Sequence, residues 1–333
     1  MVLNRNLIHS DFILYPHRIK REDFFVRIDL AKSYLLSRFK QGMHITIGCT
    51  NNDVKSLAFI FACFELGITI KIMSEPFFCG PEFDPERFEH LLTLLEDYST
   101  IDGEWILDGM VNDRDDPILG GKIGATKRDI FGSSFQKLIN EMHIPNYYMG
   151  DYEFASPLVH FKEHHIESTD NATSYFAGGD WLSVPPIEFK THEYILDKVD
   201  SQHISFENKV VGLTKNIHHD NALERLILPA LMQSSKLVDF QIPDEDYGGF
   251  FITNDKISAE KLFEYTLVFG HRLIDVFGID IIMAPSDDTL WKFLDYRAKS
   301  GQNFNKTLEI ILHDEITDKH KEWESKLDVK FLI

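Results

Sequence analysis

Apolar positions along the chain switch between two spacings, and the switches mark out the elements. From Arg27 the residues Ile28, Ala31, Tyr34, Leu35 and Phe39 recur at helical spacing, with Gly42 as the stop. HITIGC, from His44, alternates in the manner of a strand. NNDVKSLAFIFACFELG follows, capped by Asn52 or Asp53 and closed by Gly67, and TIKIMS reads as the next strand. The helix Val54–Leu66 is apolar nearly all round, so it is expected between the sheet and a second layer, with Leu57, Phe61 and Phe64 inaccessible. Helix, strand, helix and strand in this order build a parallel sheet with a right-handed crossover.

Between Pro76 and Asp200 the pattern loosens. PERFEHLLTLLEDY predicts a helix, EWILDG a strand and KRDIFGSSFQKLINEM a further helix. Residues Glu167 to Pro186, with Gly178-Gly179 and Pro185-Pro186, read as a surface connection. The pattern then sharpens. KVVGLTK is a strand entered from a polar loop, and NALERLILPALM a helix with Asp220 or Asn221 as N-cap. LVDFQIP and GGFFIT are strands, and a helix runs from Ser258 to the Phe277-Gly278 pair. GIDIIMAPSDDTLWKFLDYRA gives strand, turn and helix; LEIILHDEITDKHKEWESKLDVKFLI gives strand, turn, helix and strand. The expected fold class is α/β, with stacked, largely parallel sheets and helices on their faces. It is read as one large unit with two subdomains, 1–166 and 187–333, joined by 167–186.

Composition narrows the partners. A net charge of −19 without a Lys/Arg cluster excludes a general nucleic-acid binder, which must neutralise a row of phosphates. The three cysteines, Cys49, Cys63 and Cys79, have no metal-like spacing and read as reduced thiols. The first residues are too polar for a signal segment, and no apolar run approaches the ~18 residues a membrane helix needs. No nucleic acid, no membrane and a cytoplasmic location are therefore expected.

Candidate chemistry is sparse. GGKIGATK departs from a phosphate loop because Ile123, not Ser or Thr, follows Lys122. His160 and His164 stand four apart, as in helical zinc sites, but in a polar run without the HExxH order, and solvated loop histidines are the ordinary reading. Asp113, Asp115 and Asp116 read as a solvated acidic loop before a hard-cation site, and no Gly-x-Ser-x-Gly elbow occurs. The 27 phenylalanines are enough to fill a large core.

The stretch SQHISFENKVVGLTKNIHHD, Ser201 to Asp220, carries a resemblance. It is similar to the place in adenylate-forming enzymes (acyl-CoA and aryl-CoA synthetases, luciferases, peptide-synthetase adenylation domains) where a loop like SGTTGxPKG runs into a strand like VxxTH. Lys209, the strand and Thr214 carry the likeness, and the glycines and threonines before the Lys are missing. The run from Arg27 to Ser74 resembles the opening of that fold. MAPSDDTLWKFL and LEIILHDEIT resemble its later strand–turn–helix units, with His313 and Asp314 where small residues normally sit.

The resemblance implies the large N-terminal domain of that superfamily. It also implies binding of ATP or AMP with Mg²⁺ and a small carboxylate, through Ser201, Ser205, Lys209, Thr214, His313 and Asp314. Close-approach glycines let backbone N–H groups reach the phosphates, while here Phe206 adds bulk and Glu207 a negative charge. The family's Tyr-Gly-x-Thr-Glu segment and Lys-bearing lid find no counterpart before Ile333. The expectation is thus a truncated, degenerate member that serves as a non-catalytic ligand-binding, interaction or structural protein. The alternative is an AMP-forming acid ligase, working alone or with a partner chain that supplies the lid.

Overall fold

A computed structural model describes residues 1–10, 12–14, 18–37, 44–48, 54–73, 103–107, 146–148, 155, 165–176, 187–213, 222–239, 270–284, 287–312 and 315–333. In chain order its elements are β1 (Phe12–Leu14), β2 (Arg18–Lys20), α1 (Arg21–Leu36), β3 (His44–Gly48), α2 (Val54–Leu66) and β4 (Thr69–Met73). Then come β5 (Gly103–Leu107), β6 (Asn146–Tyr148), β7 (Asn171–Phe176), β8 (Ile187–Thr191) and α3 (His192–Asp200). The last part holds β9 (Val210–Leu213), α4 (residues 222–232), β10 (Lys236–Asp239), α5 (residues 270–277) and β11 (Ile281–Met283). It closes with α6 (Asp287–Lys299), β12 (Leu308–Ile311), α7 (Asp318–Lys326) and β13 (Val329–Leu332).

Two compact units share these elements. The first is Met1–Asn6 with Glu22–Asp200, the second Leu7–Arg21 with Ser201–Ile333. β8 and α3 therefore belong to the first unit. Its sheet has the order β6-β5-β3-β4-β7-β8, every pair parallel except β7 with β8. The second sheet has the order β13-β12-β11-β9-β10-β1-β2, parallel except for β1 with β2. The strands read at HITIGC, TIKIMS, KVVGLTK, GIDIIMA, LEIIL and VKFLI each have a parallel neighbour, as the expected sheet requires. Strand and helix alternate because each parallel neighbour needs a crossover that returns the chain to the same end of the sheet. Among the described residues no helix is long and apolar enough to cross a membrane.

In the first unit Leu57 through Phe64 are buried side by side, as an all-round apolar helix requires. Phe61 meets Phe24 of α1 edge-on at 6.1 Å, and Phe59 meets Tyr34 at 6.3 Å. Gly67 at φ 65° ends α2, letting the Ile68 N–H reach the Cys63 carbonyl at 3.0 Å. Helix α1 begins six residues before the Arg27 start of the apolar pattern. Glu22 and Asp23 in its first turn suit the positive end of the helix, and Phe24 is its first core residue. Phe39 and Gly42 lie outside the described residues, as do the helices expected at PERFEHLLTLLEDY and KRDIFGSSFQKLINEM, the strand GGFFIT and the His160–His164 pair.

One reading is corrected. Part of the presumed surface connection 167–186 is sheet: Asn171–Phe176 forms β7, with Ala172, Thr173 and Ser174 buried. Its polar letters hid it, because Thr and Ser suit a pleated strand once their hydroxyls are satisfied. In the second unit α4 carries a wide turn at Leu223–Ile227, where the Leu228 N–H donates to the Leu223 carbonyl five residues back. Pro229 explains it: a tight α-turn would press its ring against the Arg225 carbonyl, and widening the preceding turn relieves that clash. The expected caps Asp220 and Asn221 lie outside the described residues.

Candidate functional site

The segment before β9, where the sequence places its phosphate loop, is pinned to the core. Phe206 is fully buried; its N–H donates to Gln233 Oε1 at 2.8 Å, and its carbonyl accepts from Ser235 Oγ at 2.6 Å. A turn follows, closed by the Lys209 N–H on the Phe206 carbonyl at 3.1 Å, with Asn208 in the left-handed region at φ 60°. Ser201, Ser205 and Glu207 are exposed around it. With Phe206 anchored at both backbone groups, this segment has the character of a structural plug. A phosphate cradle needs its N–H groups turned outward and unspent.

Lys209 stands at the amino end of β9. Its Nζ lies 2.5 Å from Glu309 Oε2, both side chains about one-fifth exposed. Next to it Asp280 Oδ2 accepts the Val210 N–H at 2.7 Å, and the same carboxylate pairs with Lys306. Two cations and two carboxylates thus tie together the amino ends of β9, β11 and β12. Thr214 follows the opposite, carboxyl end of β9. At ~3.3 Å per residue, the four residues of β9 put roughly 13 Å between its two ends. His313 and Asp314 follow the carboxyl end of β12, and with Thr214 they lie outside the described residues. The six residues read from the sequence therefore divide between two edges: Ser201, Ser205 and Lys209 precede β9, whereas Thr214, His313 and Asp314 follow strands.

In open parallel sheets ligands bind beyond the carboxyl ends, where neighbouring crossovers leave in opposite directions. The second sheet has such a point at β9, since the chain runs from β9 to β10 on one side and later places β11 on the other. The first sheet repeats this at β3, with β4 on one side and β5 on the other. Residues 177–186, AGGDWLSVPP, also leave a carboxyl end, that of β7, and return as the antiparallel β8.

β8 ends at Thr191 and His192 opens α3, a pair the sequence reading passed over. The His192 ring is fully buried, accepts the Leu3 N–H on Nδ1 at 3.1 Å and meets Phe64 edge-on at 5.9 Å. Burial lowers its pKa from 6.5 to about 4, partly offset by the Asp170 carboxylate. The signal available in the sequence was the Gly178-Gly179 pair followed by a strand that runs into Thr191-His192.

The sequence matches no protein-family model, and no curated protein matches it. Solved structures share its fold. VinN in complex with L-aspartate superposes with a TM-score of 0.64 at 11% identity, over 97% of this chain and 70% of VinN. The McyG A-PCP structure complexed with phenylalanyl-adenylate gives 0.64 at 14%, over 95% of this chain and 46% of that one. O-succinylbenzoate coenzyme A synthetase (MenE) from Bacillus subtilis, in complex with AMP, gives 0.63 at 12%, over 96% and 55%. The fold of this chain is that of the large N-terminal domain of adenylate-forming enzymes.

Proposed function

We propose that this chain binds an adenylate, meaning AMP alone or joined to a small carboxylic acid, and does not activate the acid by itself. The observation that carries the reading is the β7–β8 hairpin. Residues 177–186 leave the carboxyl end of a parallel strand and run into β8, which ends at Thr191 with His192 opening α3, within a fold whose neighbours hold aspartate, AMP or an aminoacyl-adenylate. Gly178 and Gly179 permit the close backbone approach that phosphate binding needs.

The same ten residues contain no Lys or Arg and include Asp180. A triphosphate would bring two further phosphoryl groups beside that carboxylate. Each like-charge contact at ~4 Å costs a few kcal/mol at intermediate dielectric. A monophosphate ester suits such a loop better than Mg·ATP does, and phosphoryl-type activation depends on charge stabilisation that the loop does not supply. Thr214, His313 and Asp314, at carboxyl ends, stay within the proposal as ligand contacts. Lys209 is assigned to the Glu309 ion pair.

Calorimetry on the full chain tests this with AMP, a sulfamoyl-linked aminoacyl-adenylate analogue and Mg·ATP as separate probes. The analogue and AMP are expected to bind more tightly than Mg·ATP. Gly178→Val should weaken the analogue by about tenfold or more, equal to ~1.4 kcal/mol, while Lys209→Ala leaves it within about twofold. Loss of binding in Lys209→Ala alone would restore the sequence-based site. Carboxylate-dependent pyrophosphate exchange by the chain alone would make it a ligase.

A further inference from the structure

The first six residues are part of the first unit, and His192 fastens them there. Leu3 is fully buried, and the acceptor for its N–H is Nδ1 of His192. Since Nδ1 accepts, the ring proton sits on Nε2, which is buried and meets no hydrogen-bond acceptor among the described residues. Packed against the ring are Phe64 of α2 and the turn before β7, whose Asp170 carbonyl accepts the His192 N–H at 3.1 Å. Two charges bear on the ring: the Asp170 carboxylate favours a proton, and the Met1 amino group opposes one. Farther along, Arg5 forks onto Glu65 through Nε at 2.7 Å and one terminal nitrogen at 2.8 Å, and reaches Asp29 at 2.6 Å.

We propose that His192 is an acid-released latch, which holds Met1–Asn4 on the first unit and frees it when the imidazole takes up a proton. Nδ1 is the one site on the neutral ring that can accept this proton. Filling it turns the acceptor of the Leu3 N–H into a donor, so that two N–H groups face each other while an imidazolium lies against Phe64. Swinging the segment out relieves both. Arg5 stays docked, because its guanidinium holds the Glu65 carboxyl below the usual carboxylate range against the opposing effect of burial; the release therefore hinges at Arg5. None of this depends on the nucleotide reading.

The test is amide exchange of Leu3 in the full chain by NMR at pH 7 and pH 5, corrected for the intrinsic pH dependence of exchange. With the ring titrating at about 4 when latched and 6.5 when free, protection should fall about 20-fold between the two pH values. His192→Gln offers a carbonyl acceptor that does not titrate, and its Leu3 protection should stay level. If that variant does not fold, the wild-type His192 ring and Leu3 amide resonances, followed through the same titration, should move with one midpoint. Unchanged protection at pH 5, an equal fall in His192→Gln or separate midpoints would overturn the latch.

Discussion

In the first unit the crossover helix α2 buries eight consecutive residues, Leu57 to Phe64, without one charged or amide side chain among them. In the second unit helices α5 and α6 meet over polar groups that are also buried. His271 Nε2 donates to the Phe293 carbonyl at 2.8 Å and stacks on the Phe293 ring at 3.9 Å. Arg297, 5% exposed, grips Asp275 with two nitrogens at 2.8 and 3.0 Å, donates to the Asn303 carbonyl and lies over the Phe304 ring at 4.5 Å. An apolar slab tolerates rotation and sliding, since dispersion contacts are non-directional. A forked guanidinium fixes both helices and the loop after α6 at one relative setting. The second unit thus spends polar contacts on position, fixing the helices that enter and leave β11.

Core truncation in the first unit should be the largest effect. Phe61→Ala removes an edge-on partner of both Phe24 and Phe64 and should lower stability by about 3–5 kcal/mol through lost transfer energy and a cavity. Hydrogen exchange followed in urea, read separately for peptides of each unit, should place this loss in the first unit. A loss spread evenly over both would show that the two cores unfold as one.

Acid should act on both units, through His192 in the first and His271 in the second. His192 and His271 are lowered from 6.5 to about 4, both mainly by burial, with Arg297 adding to the effect on His271. The unfolded chain therefore binds more protons than the folded one between those values. Stability is full above pH 6.5 and falls as pH drops toward 4, by up to about 3 kcal/mol per histidine. Glu65 contributes in a separate window: its lowered carboxyl pKa stabilises above the ordinary 4.5, and that part is lost as pH falls further. Urea midpoints at pH 7, 5.5 and 4.5 check the sign, and His271→Asn should flatten the slope for second-unit peptides only.

The smallest effect should come from Lys209, which the sequence reading placed in the phosphate loop. Lys209→Ala leaves Glu309 partly solvated and should cost about 1 kcal/mol or less in second-unit stability, measured by the same exchange experiment. A cost several times larger would mean that the amino-edge ion chain acts as a unit.

Most of the fold could be read from the chain because α2 and the strands around it combine clear periodicity with glycine stops, Gly67 and Gly278 both sitting at positive φ. β1, β2 and β6 escaped because three residues carry no detectable alternation. β7 escaped because the residues it buries, Ala172, Thr173 and Ser174, are small or polar and follow one another on both faces, with no apolar alternation. The site was harder for a different reason. Lys209 and Thr214 are neighbours in sequence, yet a strand separates its ends, and which end meets ligand is decided by the order of strands in the sheet. Local spacing does not contain that order. Phe206 was the available warning, since a bulky apolar residue inside a supposed phosphate loop is better placed in a core, and it is buried there.

The antiparallel ribbon β1–β2 has one more implication, for the order of events during synthesis. Ile13 pairs with Leu237, and the His9 and Ser10 N–H groups both bond to the Leu231 carbonyl at the end of α4. The ribbon leaves the ribosome early, but its partner strand is made only after the whole segment Glu22–Asp200. The first unit, by contrast, draws almost all of its chain from that one continuous stretch. Co-translational folding should therefore close the first sheet while residues 7–21 wait, exposed, for α4 and β10 to emerge. A circular permutant opened before Glu22, which carries residues 1–21 behind the last strand, would abolish the ribbon's wait, and comparing its refolding rate with the natural order would show how long the ribbon is left without a sheet to join.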